Sequence, residues 1–427
     1  MIDNFTLFKQ VTICDPKSTW HNQKCDVLIN SQEIIEISKE INAKDYKTIV
    51  LEDAIISPGI FDLQVNCGAP YDTEKETFQS LSNAAVSAGI TDCLLMSHLN
   101  IPVDNNAQVE FLKNSTSLLP LNFHIAGTIS AHLKGNDLAN LNEMVMSGCV
   151  AFSDNKEKIQ KSNLLHLALQ YNKLTQKLLM IHAEDASLNL GGQINEGIIN
   201  VQLGIKGIPN IAEELGVVKS IYLSKYHDEL LFINGISTEG SVNLIREAKK
   251  QGIKIACSIY GYQLKLTEQD LLNFNSYLKV TPPLRTEKDR IAIIEGLIDG
   301  TIDVICSGHQ PENNETKDVE FEIASYGMAT IENLWSLSLI LTDHQCELAT
   351  IIEKLCHEPR RLLNLPENSI NKGNTPSFFV HTINKNNSFN KSKAKSKAVN
   401  NPFFESELKG YIYGTYTKGE WLENSNQ

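Results

Sequence analysis

Residues 57–70 read SPGIFDLQVNCGAP, a Pro-Gly turn followed by an apolar run that predicts a buried β-strand over residues 60–65. Gln64 and Asn66 lie two residues apart at its end, and side chains at i and i+2 share one face of a strand. Gln64 and Asn66 are therefore placed as the two ligands of a metal motif at a strand end would be. Amide side chains, however, are poor zinc ligands compared with imidazole, thiolate or carboxylate. The strand therefore ends in residues that do not suit a metal.

The same format of strand and helix repeats along residues 57–364. At 88–89, 147–148, 251–252 and 299–300 a helical segment ends in Gly and a β-rich run follows. The runs are almost continuously apolar, which is typical of parallel strands covered on both faces. Eight of them fit a closed α/β fold, a (β/α)8 TIM-type barrel. The predicted strands are 60–65, 91–96, 123–129, 149–152, 178–181, 229–233, 253–259 and 301–306.

The two ends of the chain are rich in strand residues instead. Residues 1–56 read as short strands, and residues 365–427 contain a strand at 377–383, a Lys, Asn and Ser-rich loop at 384–400 and the hairpin LKGYIYGTYTKGEWL. Neither end is large enough to enclose a core. We therefore expect the ends to pair into one small composite β domain beside a barrel formed by residues 57–364.

Composition excludes several classes of protein. The 427 residues are 42% hydrophobic and carry a formal net charge of -13, which argues against nucleic acid or an anionic membrane as a partner. The start of the chain lacks a signal-peptide pattern and no apolar run reaches transmembrane length, so we expect a cytoplasmic protein. The nine cysteines contain no CxxC pair, which predicts free buried thiols rather than disulfides or a thiolate zinc site.

One basic run lies near the C-terminus. It has no interleaved aromatic residues on which bases could stack, so a solvated loop is the better interpretation than a nucleic-acid site. The run consists of Lys385, Lys391, Lys393, Lys395 and Lys397.

Function in such a barrel is carried at the carboxyl ends of the strands. The residues predicted there include few groups that bind metals. They are Gln64, Asn66, His98, Asp154, His182, Glu184, Asp185, Asn234, Tyr260, Tyr262, Ser307, Gly308 and His309.

At these residues the chain resembles the amidohydrolase superfamily, and within it the shorter bacterial dihydroorotases. The resemblance covers nearly the whole chain and implies a (β/α)8 barrel with a composite β domain. It also implies a zinc centre that polarises an amide carbonyl and generates hydroxide while carbamoyl aspartate and dihydroorotate interconvert. The segments that carry it are SPGIFDLQVN, GCVAFSD, HAED, GIPNIAEELGVVKSIYL, ISTEGSVNLIREAKKQG, LKVTPPLR, DGTIDVICSGHQP and NPFFESELKG.

The family's metal-site positions are largely substituted in this chain. The resemblance implies a His-x-His pair after strand one, a carboxylate after strand four, histidines after strands five and six, and a proton-shuttling Asp after strand eight. Four of the six positions have lost these residues, and the remaining two ligands do not make a zinc site. In chain order the positions are Gln64, Asn66, Asp154, His182, Asn234 and Gly308.

The positions that the resemblance implies for substrate binding have changed as well. Gly68 stands where the family has an arginine that would clamp a carboxylate. His98 and Thr281 replace asparagines, and Glu312 replaces a histidine. We therefore expect neither catalytic nor substrate-binding residues of the family type.

Each remaining polar residue has a structural interpretation. Asp154 can cap the turn that follows it, and His182 can be a core histidine that donates to a backbone carbonyl. Glu184 and Asp185 can cap a helix. The alternative is a rebuilt zinc site with shifted ligands, formed by His98, Asp154, His182 and His309.

Three functions follow. The first is a catalytically inactive dihydroorotase homologue without a cofactor, a structural or regulatory partner in pyrimidine biosynthesis. For it the resemblance implies aspartate carbamoyltransferase as the partner in a homo- or hetero-oligomer. The second is an active dihydroorotase or other cyclic-amide hydrolase with a displaced zinc site. Cys67 and Cys306 lie near strand ends as candidate nucleophiles, although packing explains Cys67 better. The third is a module that senses a small molecule in the barrel mouth.

Overall fold

The computed structural model describes residues 5–42, 46–97, 100–157 and 159–424. Five strands precede the barrel, and the first of them pairs antiparallel with the second and parallel with the fourth and fifth. These strands are β1 (Thr6–Ile13), β2 (Lys24–Ile29), β3 (Ile34–Ser38), β4 (Lys47–Val50) and β5 (Ile55–Pro58).

Eight parallel strands then form the barrel, in the order of the chain. They are β6 (Ile60–Val65), β7 (Ile90–Leu95), β8 (Asn122–Gly127), β9 (Ala151–Ser153), β10 (Leu178–Ile181), β13 (Leu231–Ile233), β14 (Ile255–Tyr260) and β15 (Val304–Cys306). Two short strands, β11 (Ile194–Asn195) and β12 (Gly207–Ile208), pair with each other outside it. The barrel closes where the Asn66 N–H donates to the His309 carbonyl over 2.9 Å. The predicted (β/α)8 fold is confirmed, with strand bounds that shift by no more than three residues.

Helices connect the barrel strands and continue beyond the last one. Several begin at a side chain that accepts a backbone N–H, such as Thr77 before α1 and Thr286 before α9. The α-helices are α1 (Phe78–Ser87), α2 (Asn106–Thr116), α3 (Leu141–Met146), α4 (Ser162–Thr175), α5 (Ala186–Asn189), α6 (Ile198–Leu203), α7 (Asn210–His227), α8 (Glu239–Lys250), α9 (Glu287–Ile298), α10 (Asn314–Lys317), α11 (Leu334–Ser338), α12 (Leu348–Ile352) and α13 (Glu358–Leu362).

Shorter helical segments complete the chain. The 3₁₀ turns are Ala131–Leu133, Gly261–Leu264, Glu268–Asn273, Ser276–Leu278, Ile331–Asn333, Leu339–His344 and Lys391–Lys393, and a π-helical turn spans Glu353–His357. Among the described residues, no helix combines the length and the apolar character that crossing a membrane requires.

Three C-terminal strands complete the β domain: β16 (Phe378–Phe389), β17 (Ser406–Thr417) and β18 (Glu420–Glu423). β16 pairs with β5, so the two ends of the chain form one eight-stranded sheet, as predicted. The expected loop at 384–400 is partly wrong, because β16 continues to Phe389 by pairing with β17. Polar composition indicated solvent exposure there. The antiparallel extension satisfies the backbone of this segment, while most of its polar side chains stay exposed and Phe389 is buried.

Successive residues of the barrel strands alternate between two apolar clusters. On β13, Leu231 and Ile233 pack in the cluster that contains the helix residues, whereas Phe232 packs in the other. Tyr260, at the end of β14, belongs with Phe232. Since strand side chains alternate between faces, this second set points into the barrel. All nine cysteines are buried, in agreement with their predicted role in packing.

Candidate active site

The phenol ring of Tyr260 lies inside the barrel at the carboxyl end of β14. It is fully buried and lies against the backbone of Gly235 and Gly308, the residues that follow β13 and β15. A Cβ atom at Gly308 would lie 2.7 Å from a ring carbon, and one at Gly235 would lie 2.5 Å from another. Gly235 has a φ angle of +60° and Gly308 one of +63°, and residues with L side chains rarely adopt such positive values. The ring therefore excludes any side chain from both positions.

Gln64 and Asn66 have different surroundings, although they follow the same strand. Gln64 is fully buried and faces the Tyr260 hydroxyl, and neither group has a hydrogen-bond partner of good geometry among the described residues. Asn66 donates from Nδ2 to the His309 carbonyl over 3.0 Å and accepts from Asn155 Nδ2 over 2.6 Å. Its amide thus joins the loops that follow β9 and β15.

Both carboxylate oxygens of Asp154 are engaged by the loop that follows β8. Oδ1 accepts the backbone N–H groups of Ile129 over 2.7 Å and Ser130 over 2.9 Å, and Oδ2 accepts the Ser130 hydroxyl over 2.5 Å. Burial nevertheless raises the pKa of Asp154. The expectation that its side chain caps the following turn is therefore wrong. It fixes a neighbouring loop, which sequence spacing could not indicate because the two segments are 24 residues apart.

His182 lies after β10 with both ring nitrogens buried and without a hydrogen-bond partner among the described residues. Its Nε2 is 3.6 Å from Glu184 Oε2, so the predicted bond to a backbone carbonyl is not present. The cap prediction holds for Asp185, which accepts the Ser187 N–H at the start of α5 over 2.9 Å. Glu184 instead accepts from the Asn189 amide over 2.6 Å.

A carboxylate deeper in the barrel is also affected by burial. Asp62 on β6 accepts the Ser307 and Gln64 N–H groups at Oδ1, over 3.1 and 3.2 Å, while Oδ2 has no described partner. Burial raises the pKa of Asp62 to about 6. Burial disfavours the charged form of a carboxylate, and Oδ2 has no hydrogen-bond donor to compensate. The ionised form of Asp62 therefore lowers the stability of the folded state.

The residues at the implied metal positions do not fit zinc. His182 supplies one imidazole, Asp154 already accepts three hydrogen bonds, and Gln64 and Asn234 supply neutral amides. Asn234 donates weakly to Ser153 Oγ over 3.4 Å. Zinc sites need about three nitrogen, sulfur or carboxylate donors.

The rebuilt zinc site stays a prediction in part. His98 lies outside the described residues. His309 is buried with its Nε2 3.6 Å from Glu76 Oε2. Within residues 5–42, 46–97, 100–157 and 159–424, no three His, Cys, Asp or Glu side chains form a group that could hold a metal ion.

The positions implied for substrate binding are also occupied by other contacts. A Cβ atom at Gly68 would overlap the Asp72 carbonyl oxygen, so the loop as folded admits no arginine there. Glu312 pairs with Lys75 over 2.8 Å and accepts the Thr316 hydroxyl over 2.8 Å. Thr281 lines the cleft above the barrel.

That cleft has a volume of about 440 Å³ and lies over the mouth of the barrel. Lys156 enters it, with Nζ 5.5 Å from the centre of the Tyr260 ring and 2.8 Å from Gln310 Oε1. Burial lowers the pKa of Lys156 to about 8. Sequence reasoning missed Lys156, and the one available signal was its position two residues after Asp154 at the carboxyl end of β9.

The chain is similar in sequence to known dihydroorotases. A family model described as Dihydro-orotase-like matches residues 53–241. A protein named Dihydroorotase from Acetivibrio thermocellus is 33% identical over 416 residues, covering 97% of each chain. Another of that name from Syntrophus aciditrophicus is 32% identical over 418 residues, covering 97% of this chain and 98% of its own.

Solved structures share the fold. The L-hydantoinase (dihydropyrimidinase) from Arthrobacter aurescens has a TM-score of 0.85 at 19% identity, covering 99% of this chain and 96% of its own. The dihydropyrimidinase from Brevibacillus agri has a TM-score of 0.82 at 17% identity, covering 98% and 95%. At these identities the likeness concerns the architecture of the barrel and the β domain.

A substitution at Gly308 tests its contact with the Tyr260 ring through the free energy of unfolding. Gly308→Ala should lower the free energy of unfolding by about 2–4 kcal/mol, because it adds overlap with the ring to the strain of a positive φ. The matched control is Gly135→Ala, since Gly135 has the same φ of +63° and nothing within 4 Å, and only about 1 kcal/mol is expected. Urea denaturation gives both values. In a Tyr260→Ala background the excess loss should disappear, and equal losses for the two variants would contradict the contact.

The raised pKa of Asp62 predicts a pH dependence of stability. The ordinary pKa of the carboxyl is 3.8, and the pKa of Asp62 in the folded state is about 6. At pH values between these two, the folded state binds more protons than the unfolded state. The stability of the wild type relative to Asp62→Asn should therefore fall by about 3 kcal/mol as the pH rises through this window. Asn keeps the Oδ1 acceptor, and the exposed Asp137→Asn serves as the control. A difference that stays constant between pH 4 and pH 7 in urea denaturation would refute the assignment.

Proposed function

Because this chain belongs to the dihydroorotase-like family, we propose that it is a catalytically inactive dihydroorotase homologue that lacks the zinc centre. In this proposal it acts as a structural or regulatory subunit in pyrimidine biosynthesis. The chain keeps the barrel and the β domain of the family, and in this role it needs no metal chemistry.

The observation that carries the proposal is the packing of Tyr260. An aspartate at position 308 would serve as metal ligand and proton shuttle in the family, yet a Cβ atom there would overlap the Tyr260 ring. The Tyr260 ring therefore fills the space that the carboxylate side chain would need. A single substitution at Gly308 would not recreate the family's arrangement.

The neighbouring positions support the same conclusion independently. Zinc, when bound in such a site, supplies a Lewis acid and a hydroxide nucleophile at neutral pH. Here Gln64 and Asn234 offer only neutral amides, and the Asp154 carboxylate is occupied by the loop after β8. Gly68 lacks the arginine that would bind a substrate carboxylate, and the close Asp72 carbonyl leaves no room for one.

Aspartate carbamoyltransferase is the partner that we propose for this subunit. The basis is the retained framework: the segments that carry the family resemblance persist while the site residues are substituted. A scaffold kept without its catalytic residues is expected when selection acts on its surface and fold.

An active dihydroorotase, or another cyclic-amide hydrolase with a displaced metal site, is the alternative. Two observations favour it. The relatives from Acetivibrio thermocellus and Syntrophus aciditrophicus are both named Dihydroorotase at about one-third identity over nearly the whole chain. His182 also retains two ring nitrogens without hydrogen-bond partners among the described residues, which leaves one imidazole for a metal.

Cyclisation of carbamoyl aspartate decides between these functions. The purified protein, assayed with and without added zinc, should give no turnover above the uncatalysed rate. Elemental analysis of the same preparation should find zinc well below one atom per chain. The dihydroorotase from Acetivibrio thermocellus, prepared in the same way, is the positive control. Turnover that a chelator abolishes would establish the alternative.

The proposed partnership predicts a stable complex. Co-expression with the aspartate carbamoyltransferase of the same organism should yield one species in size-exclusion chromatography that contains both chains. Separate peaks at micromolar concentrations of each chain would reject the partnership while leaving the predicted lack of activity untouched.

A further inference from the structure

Two histidine side chains face each other in the layer of helices around the barrel. His166 lies on α4, and His227 is the last residue of α7. His166 Nδ1 and His227 Nε2 are 2.9 Å apart, which is the distance of a hydrogen bond. His227 is only 5% exposed, and His166 is half-buried. The contact therefore joins α4 to the end of α7, away from the barrel mouth.

The bond between these rings exists only in some protonation states. A neutral imidazole has one N–H donor and one unprotonated nitrogen that accepts, whereas an imidazolium has an N–H group on each nitrogen. One ring of the pair can be charged, because the unprotonated nitrogen of the other still accepts its N–H. When both rings are charged, two N–H groups and two positive charges face each other across the same short distance. The second proton therefore breaks the contact.

The surrounding groups do not compensate a second positive charge. Lys173, on the helix that carries the other histidine, acts on His227 with a further positive charge. Tyr226 contributes an uncharged ring, whose centroid is 5.1 Å from that of His227. Asp228, the next residue, is engaged by Lys254 over 2.9 Å. Among the described residues, no carboxylate forms an ion pair with either histidine.

The electrostatics give the direction of the pH dependence. Burial lowers the pKa of His227, and the positive charges of His166 and Lys173 lower it further. A histidine with a lowered pKa in the folded state stabilises the fold above its ordinary pKa of 6.5. That stability is lost as the pH falls through the lower value of the folded state. The contact is thus complete at neutral pH and weakens in acid.

We propose that His166 and His227 form a pH-sensitive lock between α4 and α7. At neutral pH the N–H···N bond holds the last turn of α7 against α4. In acid the doubly charged pair separates, and the last turn of α7 opens together with Tyr226, whose side chain is 77% exposed. The lock requires neither a metal nor a partner protein. It goes beyond the proposed function, and its test does not depend on catalytic activity.

Hydrogen–deuterium exchange of the full-length protein at about pH 7.5 and about pH 5.5 tests the lock on either side of the histidine titration. After correction for the intrinsic pH dependence of exchange, protection of the last turn of α7 should fall by about three- to tenfold in acid, the equivalent of one lost hydrogen bond. Protection of α1, which has no titratable side chain, should change little. An equal fall in α1 would indicate acid unfolding of the whole protein and overturn the proposal.

A matched pair of variants assigns the effect to the two rings. His166→Asn places an uncharged amide near the position of Nδ1, so it can still donate to His227 but cannot be protonated. Protection of the last turn of α7 should then be independent of pH. His344→Asn, at an exposed histidine on neither helix, should behave like the wild type.

Side-chain NMR of the same proteins gives a second readout. The titration midpoint of His227 should be higher in His166→Asn than in the wild type, because one positive neighbour has been removed. An unchanged midpoint, equal protection of the wild type at the two pH values, or an unaltered pH dependence in His166→Asn would each overturn the proposal. The comparison of two pH values uses the wild type alone and stays decisive if the variant does not fold.

Discussion

The close packing of the Tyr260 ring against Gly235 and Gly308 is the contact around which the mouth of this barrel is built. Protein interiors are as dense as organic crystals, so a ring and a side chain cannot share this space. The ring comes from β14 and the two glycines follow β13 and β15. The same packing contact therefore restricts the residues that can stand at the ends of three adjacent strands. A functional carboxylate at Gly308 is excluded for the same physical reason that the ring is well packed.

Two polar residues around this contact hold loops of the barrel rim in place. Asp154 holds the loop after β8 through three accepted hydrogen bonds, and Asn66 joins the loops after β9 and β15. These bonds stabilise the rim of the barrel. They also occupy the Asp154 carboxylate oxygens, which a metal ion would need as ligands. The Lys156 ammonium lies 5.5 Å from the centre of the Tyr260 ring, where the contact of a cation with the aromatic face is electrostatically favourable. In this chain the mouth of the barrel therefore holds a lysine above a phenol ring.

The sequence predicted the barrel well because its signals are local. Gly-terminated helices and apolar runs depend on neighbours in the chain, and β6 and β10 begin and end at the predicted residues. The unsuitability of Gln64 and Asn66 for zinc was also evident from residue chemistry alone. The partners of Asp154 and His182 were not, because hydrogen bonds between loops depend on how the strands are arranged in space. Tyr260 was visible as a strand-end residue, but its fit between two glycines 25 and 48 residues away needed the folded chain.

We propose that the Tyr260 ring occupies the space in which related proteins would carry out metal chemistry. The most direct measurement is an anomalous difference map at the zinc absorption edge, from crystals grown with excess zinc. The account predicts the Tyr260 ring between Gly235 and Gly308 and no zinc peak inside the barrel mouth. A strong peak coordinated by His182, with the ring displaced, would contradict it.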